Sequence, residues 1–290
     1  MDQTLIESKL AGVRDLPSLP ETTMSLLQLL SDPNTENDDI NCTMARDPAL
    51  TATVLRIVNS SYYGLRHKVA SLLLALNILG FRTVKNIVLT AAAAGVFNHR
   101  NKTPQFSPQA FAKHSIAAAA ICRFLAKFSR DIPPDLAFSV GLLHDIGKLA
   151  MDQTFPDEYS RSVKLAQNLG MPIHKAEEQV WGCNHAAVGA FLARRWKLPE
   201  ELCEGIASHH DLAGAANRKL IACCYMADYV CAVKSLTTPD RFLPAELDRD
   251  AWTHLRLDSR VLPDLLAILD QEIREASLMF NVASLEMTVS

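Results

Sequence analysis

Gly141-Leu142-Leu143-His144-Asp145-Ile146-Gly147-Lys148 sets the reading of the whole chain. A histidine beside an aspartate in an apolar run is costly to bury: a polar group without a hydrogen bond loses roughly 2–7 kcal/mol, and a lone charge loses more. Two compensations suit the string. A divalent ion accepts adjacent nitrogen and oxygen ligands and inverts the local electrostatics. Alternatively, Asp145 pairs with Lys148 one turn on while His144 bonds a backbone carbonyl. Both stay open on this stretch alone.

Working outward, the string lies in a helix expected from about Pro134 to Asp152. The preceding helix, from about Pro108 to Phe128, carries His114, and Asp131-Ile132-Pro133-Pro134 turns the chain between them. At about 1.5 Å per residue, His114 and His144 stand 15–21 Å from that turn, so an antiparallel hairpin brings them to one level. Downstream, Asn184 is a good N-cap that places His185 in a first helical turn, on a helix whose small face (Ala186, Gly189, Ala190) permits close packing. His209-His210 close another helix, where a favourable dipole interaction is the simpler account. His174 has polar neighbours and reads as exposed. The helix from Leu220 to Ala232 is apolar almost all round, so Asp228 in its middle needs a cation or several donors. Together, His114, His144, Asp145, His185, His209, His210 and Asp228 offer five imidazoles and two carboxylates, enough for one ion or for two bridged by Asp145.

The first hundred residues contain no such cluster. Five short helices are expected: Glu21 to Ser31, Thr35 to Ala45, Asp47 to Val58, Val69 to Leu79 with a stop at Gly80, and Thr83 to Phe97. Asn59 reads as a buried hydrogen bonder at a helix end, and residues 98–109 as a surface linker. The division that follows is 1–105 as an N-terminal helical subdomain, 106–235 as the subdomain bearing the histidines, and 236–290 as a helical tail. In that tail Leu262, Leu265, Leu266, Ile268, Leu269, Ile273 and Leu278 alternate with charge and pack on the chain itself or on a partner.

Composition agrees with an all-α, multi-helix bundle: 49% of the 290 residues are hydrophobic and only 7% aromatic. The formal net charge of -3, without a prominent Lys or Arg block, argues against a protein that coats nucleic acid. Cys42, Cys122, Cys183, Cys203, Cys223, Cys224 and Cys231 form no C-x-x-C pair and read as reduced cytosolic thiols. The apolar runs 69–79 and 115–126 are short for a membrane span, and Met1 to Leu10 lacks a signal-type apolar core. A cytoplasmic protein without membrane contact is the expectation.

The order His, His-Asp, distant Asp resembles the HD superfamily of metal-dependent phosphohydrolases, with His114, His144-Asp145 and Asp228 matching its core. Leu16-Pro17-Ser18-Leu19-Pro20, Asp47-Pro48-Ala49-Leu50, Asn59-Ser60-Ser61-Tyr62-Tyr63-Gly64 and Ala75-Leu76-Asn77-Ile78-Leu79-Gly80 are similar to one branch, the HDOD (HD-related output domain) proteins of bacterial signalling. His185-Ala186-Ala187-Val188-Gly189-Ala190 and Trp196-Lys197-Leu198-Pro199 carry the same likeness, which spans about residues 12–235. The resemblance implies that the five-helix subdomain packs on an HD-type helical subdomain. His185 and His209-His210 also match extra histidines of the related cyclic-dinucleotide phosphodiesterases that carry a Gly-Tyr-Pro motif. Here Asp211-Leu212-Ala213-Gly214-Ala215-Ala216 follows instead, and Ala110 stands where three-metal relatives have a Glu.

What the resemblance implies is a signalling module with one or two divalent ions of iron, manganese, zinc or nickel. His114, His144, Asp145 and Asp228 would hold the first ion; His185, His209 and His210, with Asp145 bridging, would hold the second. If the site is catalytic, a metal-activated water attacks the phosphorus of a nucleotide or other phosphoester in line, and Asp145 and Lys148 take part, Lys148 by neutralising charge on a non-bridging oxygen. Lys148 capping its own helix is the other reading of that residue. A rival account of the whole chain is a non-catalytic module that works through a signalling protein partner.

Overall fold

The computed structural model describes residues 3–10, 13, 16–60, 62–97, 100–127, 129, 131–236, 249–255, 266 and 269–278, and all regular secondary structure among them is α-helical. The N-terminal half contains α1 (Gln3–Leu10), α2 (Glu21–Leu29), α3 (Asn37–Ala45), α4 (Pro48–Val58) and α5 (Leu72–Phe97). Side-chain caps set some starts: Asp47 Oδ1 accepts the Leu50 N–H at 2.9 Å at the head of α4. α5 is continuous in name only. Gly80, at φ 79° and ψ 162°, breaks it where the sequence places a stop, because a left-handed φ costs glycine nothing. By length and composition α5 is the one described helix that could cross a membrane; the break divides it into pieces below the ~20 residues a span needs.

This half adds one helix to those expected and corrects the reading of Asn59. Residues 3–10 form a helix whose Ile6 and Leu10 are buried, and α1 packs against a helix of the second half. Asn59 is exposed, yet it does bridge: its Nδ2 donates to the carbonyls of Leu55 and Val69, each at 2.8 Å, and its Oδ1 accepts the Val69 N–H at 2.7 Å.

The second half comprises α6 (Pro108–Ala126), α7 (Pro134–Leu143), α8 (Ile146–Thr154), α9 (Pro156–Leu169), α10 (Ile173–Trp181), α11 (His185–Arg195), α12 (Glu200–Ser208), α13 (Arg218–Val233) and α14 (Arg249–Leu255). α6 and α7 make the expected hairpin, and α13 lies along α6. α11 is the helix that receives α1, and it also packs on α8 and α12. The halves interlock: Asn86 of α5 donates to Asp135 Oδ1 at 3.1 Å and accepts from Ser139 at 2.8 Å, while Trp196 donates to the Pro17 carbonyl at 3.2 Å.

The segment expected as a surface linker over 98–109 is more than that within its described residues, 100–109. Thr103 and Phe106 are buried, and the fully buried Asp152 accepts from the Lys102 and Thr103 N–H groups and the Thr103 hydroxyl at 2.6–2.9 Å. The tail residues Leu262, Leu265 and Ile268 lie outside the described residues. Residues 269–278 are helical and tied down by Lys234–Asp270 and Arg123–Glu272 ion pairs. All seven cysteines are free thiols, and only Cys42 is exposed.

Candidate metal centre

The helix expected over Pro134–Asp152 divides at the His-Asp pair. His144 still donates its N–H to Val140 O at 2.8 Å, but Asp145 leaves the helical region (φ -94°, ψ 5°) and α8 restarts behind it. Consecutive residues of a regular helix point about 100° apart. The break lets both side chains turn into one space. Glycines bring the neighbouring helices close enough to reach it: a Cβ on Gly141 would lie 2.7 Å from Ala118 O, and one on Gly147 would overlap His185 O.

Around Asp145, itself fully buried, the side chains converge. His114 Nε2 lies 3.4 Å from Asp145 Oδ2, 3.5 Å from Asp228 Oδ1 and 3.3 Å from His144 Nε2. His144 Nε2 is 3.5 Å from Asp145 Oδ2 and 3.3 Å from Asp228 Oδ1. On the other side, Asp145 Oδ1 faces His185 Nε2 at 3.2 Å and His209 Nε2 at 3.6 Å, and His210 Nε2 meets His185 Nε2 at 2.9 Å. Two groups result: His114, His144 and Asp228, and Asp145, His185, His209 and His210, the donor atoms within each lying within 4.8 Å of one another.

The outer nitrogens say which atoms are free to bind. Nδ1 of His114, His144 and His209 contacts the carbonyls of Leu236, Gly141 and Ile206 at 2.7–3.0 Å. A carbonyl only accepts, so each Nδ1 carries a proton and each neutral ring keeps a lone pair on Nε2. His185 is held more firmly, with Nδ1 2.6 Å from Glu177 Oε2, which also accepts the His185 N–H at 2.8 Å. Lone pairs and carboxylate oxygens therefore point at one another. Asp145 Oδ1 and His209 Nε2 are buried without a well-formed hydrogen bond, while Asp145 Oδ2 has the Lys148 ammonium 3.0 Å away. Acceptors facing acceptors require protons or a cation between them. Ions bound by imidazole and carboxylate at about 2.0–2.2 Å space neighbouring ligands roughly 3–3.6 Å apart, and the contacts between these atoms run from 2.9 to 3.6 Å, so the residues fit a divalent metal.

The electrostatics show the same need. Burial disfavours charge on His144, but Asp145 and Asp228 outweigh it and push its pKa up to about 10. Burial also works against the Asp145 carboxylate, yet Lys148 and His144 hold its pKa well below the ordinary value. Lys148 is itself fully buried, with Nζ 3.0 Å from Asp145 Oδ2. His209 takes no share of the positive charge, since burial holds it at about 4.

All seven residues singled out in the sequence thus meet in one place, and the contacts of the second reading of the opening string are present: Asp145 pairs with Lys148 at 3.0 Å and His144 Nδ1 meets the Gly141 carbonyl at 2.8 Å. Glu177 escaped the sequence reading. Its neighbour Glu178 and the flanking polar residues give it the look of an exposed helix face, whereas it is fully buried behind His185. His174 is half-buried rather than exposed; its ring stacks on His210 with centroids 4.1 Å apart and planes at 18°.

A helical fold with a broken His-Asp helix and a distant aspartate closing a histidine cluster defines an HD-type domain. The chain belongs to the HDOD family, whose HDOD domain profile matches residues 16–212. It is similar to an HDOD domain protein of unknown function from Geobacter sulfurreducens, with 25% identity, 97% of each chain covered and a TM-score of 0.77. A candidate phosphohydrolase from Shewanella amazonensis shares the fold at 24% identity and a TM-score of 0.75, with 96% of this chain and 98% of that one covered. An uncharacterized protein of Treponema pallidum is 25% identical over 240 residues, which make up 81% of this chain and 46% of that protein; the chain spans about half the length of this curated relative.

Proposed function

We propose that this chain is a cytoplasmic bacterial signalling module that keeps a working HD-type centre for one or two divalent ions and acts as a metal-dependent phosphohydrolase or phosphodiesterase on a nucleotide-like phosphoester. One observation carries this reading: Nε2 of four histidines and the oxygens of Asp145 and Asp228 converge, while Nδ1 of each of those rings is engaged by an acceptor behind it. That arrangement suits ligands better than a hydrogen-bonded core. The organisation that goes with the proposal is 1–105 as the helical HDOD subdomain, 106–235 as the metal-site subdomain and 236–290 as the tail.

His114, His144, Asp145 and Asp228 would hold one ion; His185, His209 and His210, together with Asp145, would hold the other. Bound there, a divalent ion supplies Lewis acidity and lowers the pKa of water. The chain's own residues do the rest. Asp145 links the two groups, its charge maintained by Lys148, and Lys148 brings positive charge for a developing phosphoryl oxyanion. Glu177 and the carbonyls of Leu236, Gly141 and Ile206 fix ring orientation. His210 and Asp228 are the more exposed members of the cluster, and the substrate approaches from their side.

The Lys148–Asp145 contact favours a second reading. A buried ammonium already compensates part of the carboxylate charge, as it would in a module that has given up turnover and signals through protein contacts. The absence of Gly-Tyr-Pro after His210 bears on cyclic dinucleotides in particular. Elemental analysis of protein purified without chelator, followed by phosphodiesterase assays on linear and cyclic nucleotides, decides between the readings. Bound metal with turnover supports the enzyme; metal without turnover supports the adaptor; protein that takes up no ion overturns the metal centre.

A further inference from the structure

His210 differs from its fellow candidate ligands in how it is held. Behind His114, His144, His185 and His209 stands an acceptor for Nδ1, whereas His210 makes its hydrogen-bond contact through Nε2, to His185. Such acceptors lock the ring plane of a metal-binding histidine, and their loss typically costs 10–100-fold in affinity. A ring at the half-buried mouth of the site without one needs another constraint. His174 lies there. It comes from the first turn of α10, is half-buried, and is nearly parallel to the His210 ring at 4.1 Å. His210 also meets the His209 ring, with centroids 4.0 Å apart and planes at 46°. The flat stack leaves little room for the His210 ring to rotate about its Cβ–Cγ bond without running into His174. The same helix carries Glu177, which holds His185.

We infer that His174 is a positioning residue for the second ion: its flat stack fixes His210, so α10 aligns two of that ion's three imidazoles, one through Glu177 and one through His174. The inference rests on the metal centre proposed above. It assigns the work to ring shape and not to a ring nitrogen, which makes His174→Phe and His174→Ala the informative pair.

The experiment is metal titration of the full chain with manganese and with zinc, read as ions bound per chain, with anomalous scattering to locate them and circular dichroism to confirm folding. The wild-type chain and His174→Phe are expected to take two ions. His174→Ala is expected to keep the ion at His114, His144 and Asp228 and to bind the second about 10-fold or more weakly. An alanine variant that binds the second ion as tightly as the wild type overturns the inference and leaves the centre intact. A phenylalanine variant as defective as the alanine one overturns it too, since a nitrogen and not the stack would then matter. A wild-type chain that binds no ion overturns the centre and the inference together.

Discussion

Glu177 Oε2 accepts twice from His185, from Nδ1 at 2.6 Å and from the backbone N–H at 2.8 Å. One carboxylate oxygen therefore fixes both the start of α11 and the direction of its first side chain. Burial opposes charge on His185, but Glu177 and Asp145 outweigh it and raise its pKa, so the ring binds a cation or proton on its Asp145 side more tightly. Replacing Glu177 by Gln keeps the shape and removes the charge. The expected result is a 10–100-fold weaker second ion with an unchanged helical spectrum. Unaltered affinity in Glu177→Gln would show that the contact serves folding only.

Protons and metal compete for the same atoms, which sets a pH signature. His144 has a folded pKa of about 10 against about 6.5 unfolded. Its contribution to the stability of chelator-treated protein is complete below the unfolded value and is lost as pH rises through 10. His209 works oppositely: with a folded pKa of about 4, it penalises folding as pH falls from the unfolded value toward 4. Metal-free Tm is therefore expected to peak near neutral pH and fall on both sides. Metal binding at pH 7 must expel the His144 proton, so calorimetry in buffers of different ionisation enthalpy should show about one proton released per first ion. No buffer dependence would place the ion elsewhere.

How much of this could be read from the residues depends on what each signal required. His144-Asp145 and Asp228 stand out because polar atoms in apolar runs demand compensation wherever the chain folds. The level of His114 followed from helix rise and one turn. Glu177 and His174 were missed because their burial comes from α9, α10 and α11 packing together, and nothing in the polar face of α10 announces that. The break at Asp145 was equally silent, since Leu143 and Ile146 suit an unbroken helix. α1 escaped for a similar reason: a short segment with two buried apolar residues gains its helix from docking on α11, and local propensity contributes little over eight residues.

Gly147 tests whether the centre depends on close helix approach. A Cβ there would overlap the His185 carbonyl and come within 2.8 Å of Gly189 N, both of them backbone atoms with little room to yield. Gly147→Ala is expected to cost more than the ~1–3 kcal/mol of ordinary overpacking and to abolish the second ion by pushing α11 outward. Gly170→Ala is the comparison. With φ at +62° but open space around it, that variant should lose about 1–2 kcal/mol and keep its metal. Equal metal loss in both would mean that general destabilisation, and not the spacing of α8 and α11, empties the site.

Asp152 separates the scaffold from the site. It sits on α8, the helix that follows Asp145, but its oxygens are committed to Lys102 N, Thr103 N and Thr103 Oγ1, joining α8 to the segment ahead of α6. Asp152→Asn turns one acceptor oxygen into a donor facing donors. It should lower unfolding free energy by about 1–3 kcal/mol in urea, the range for a buried group left without its partner. Because none of these contacts reaches the imidazoles, ions bound per folded chain should match the wild type. A folded Asp152→Asn protein that has lost an ion would show that the register of α8, set at its far end, also governs Asp145.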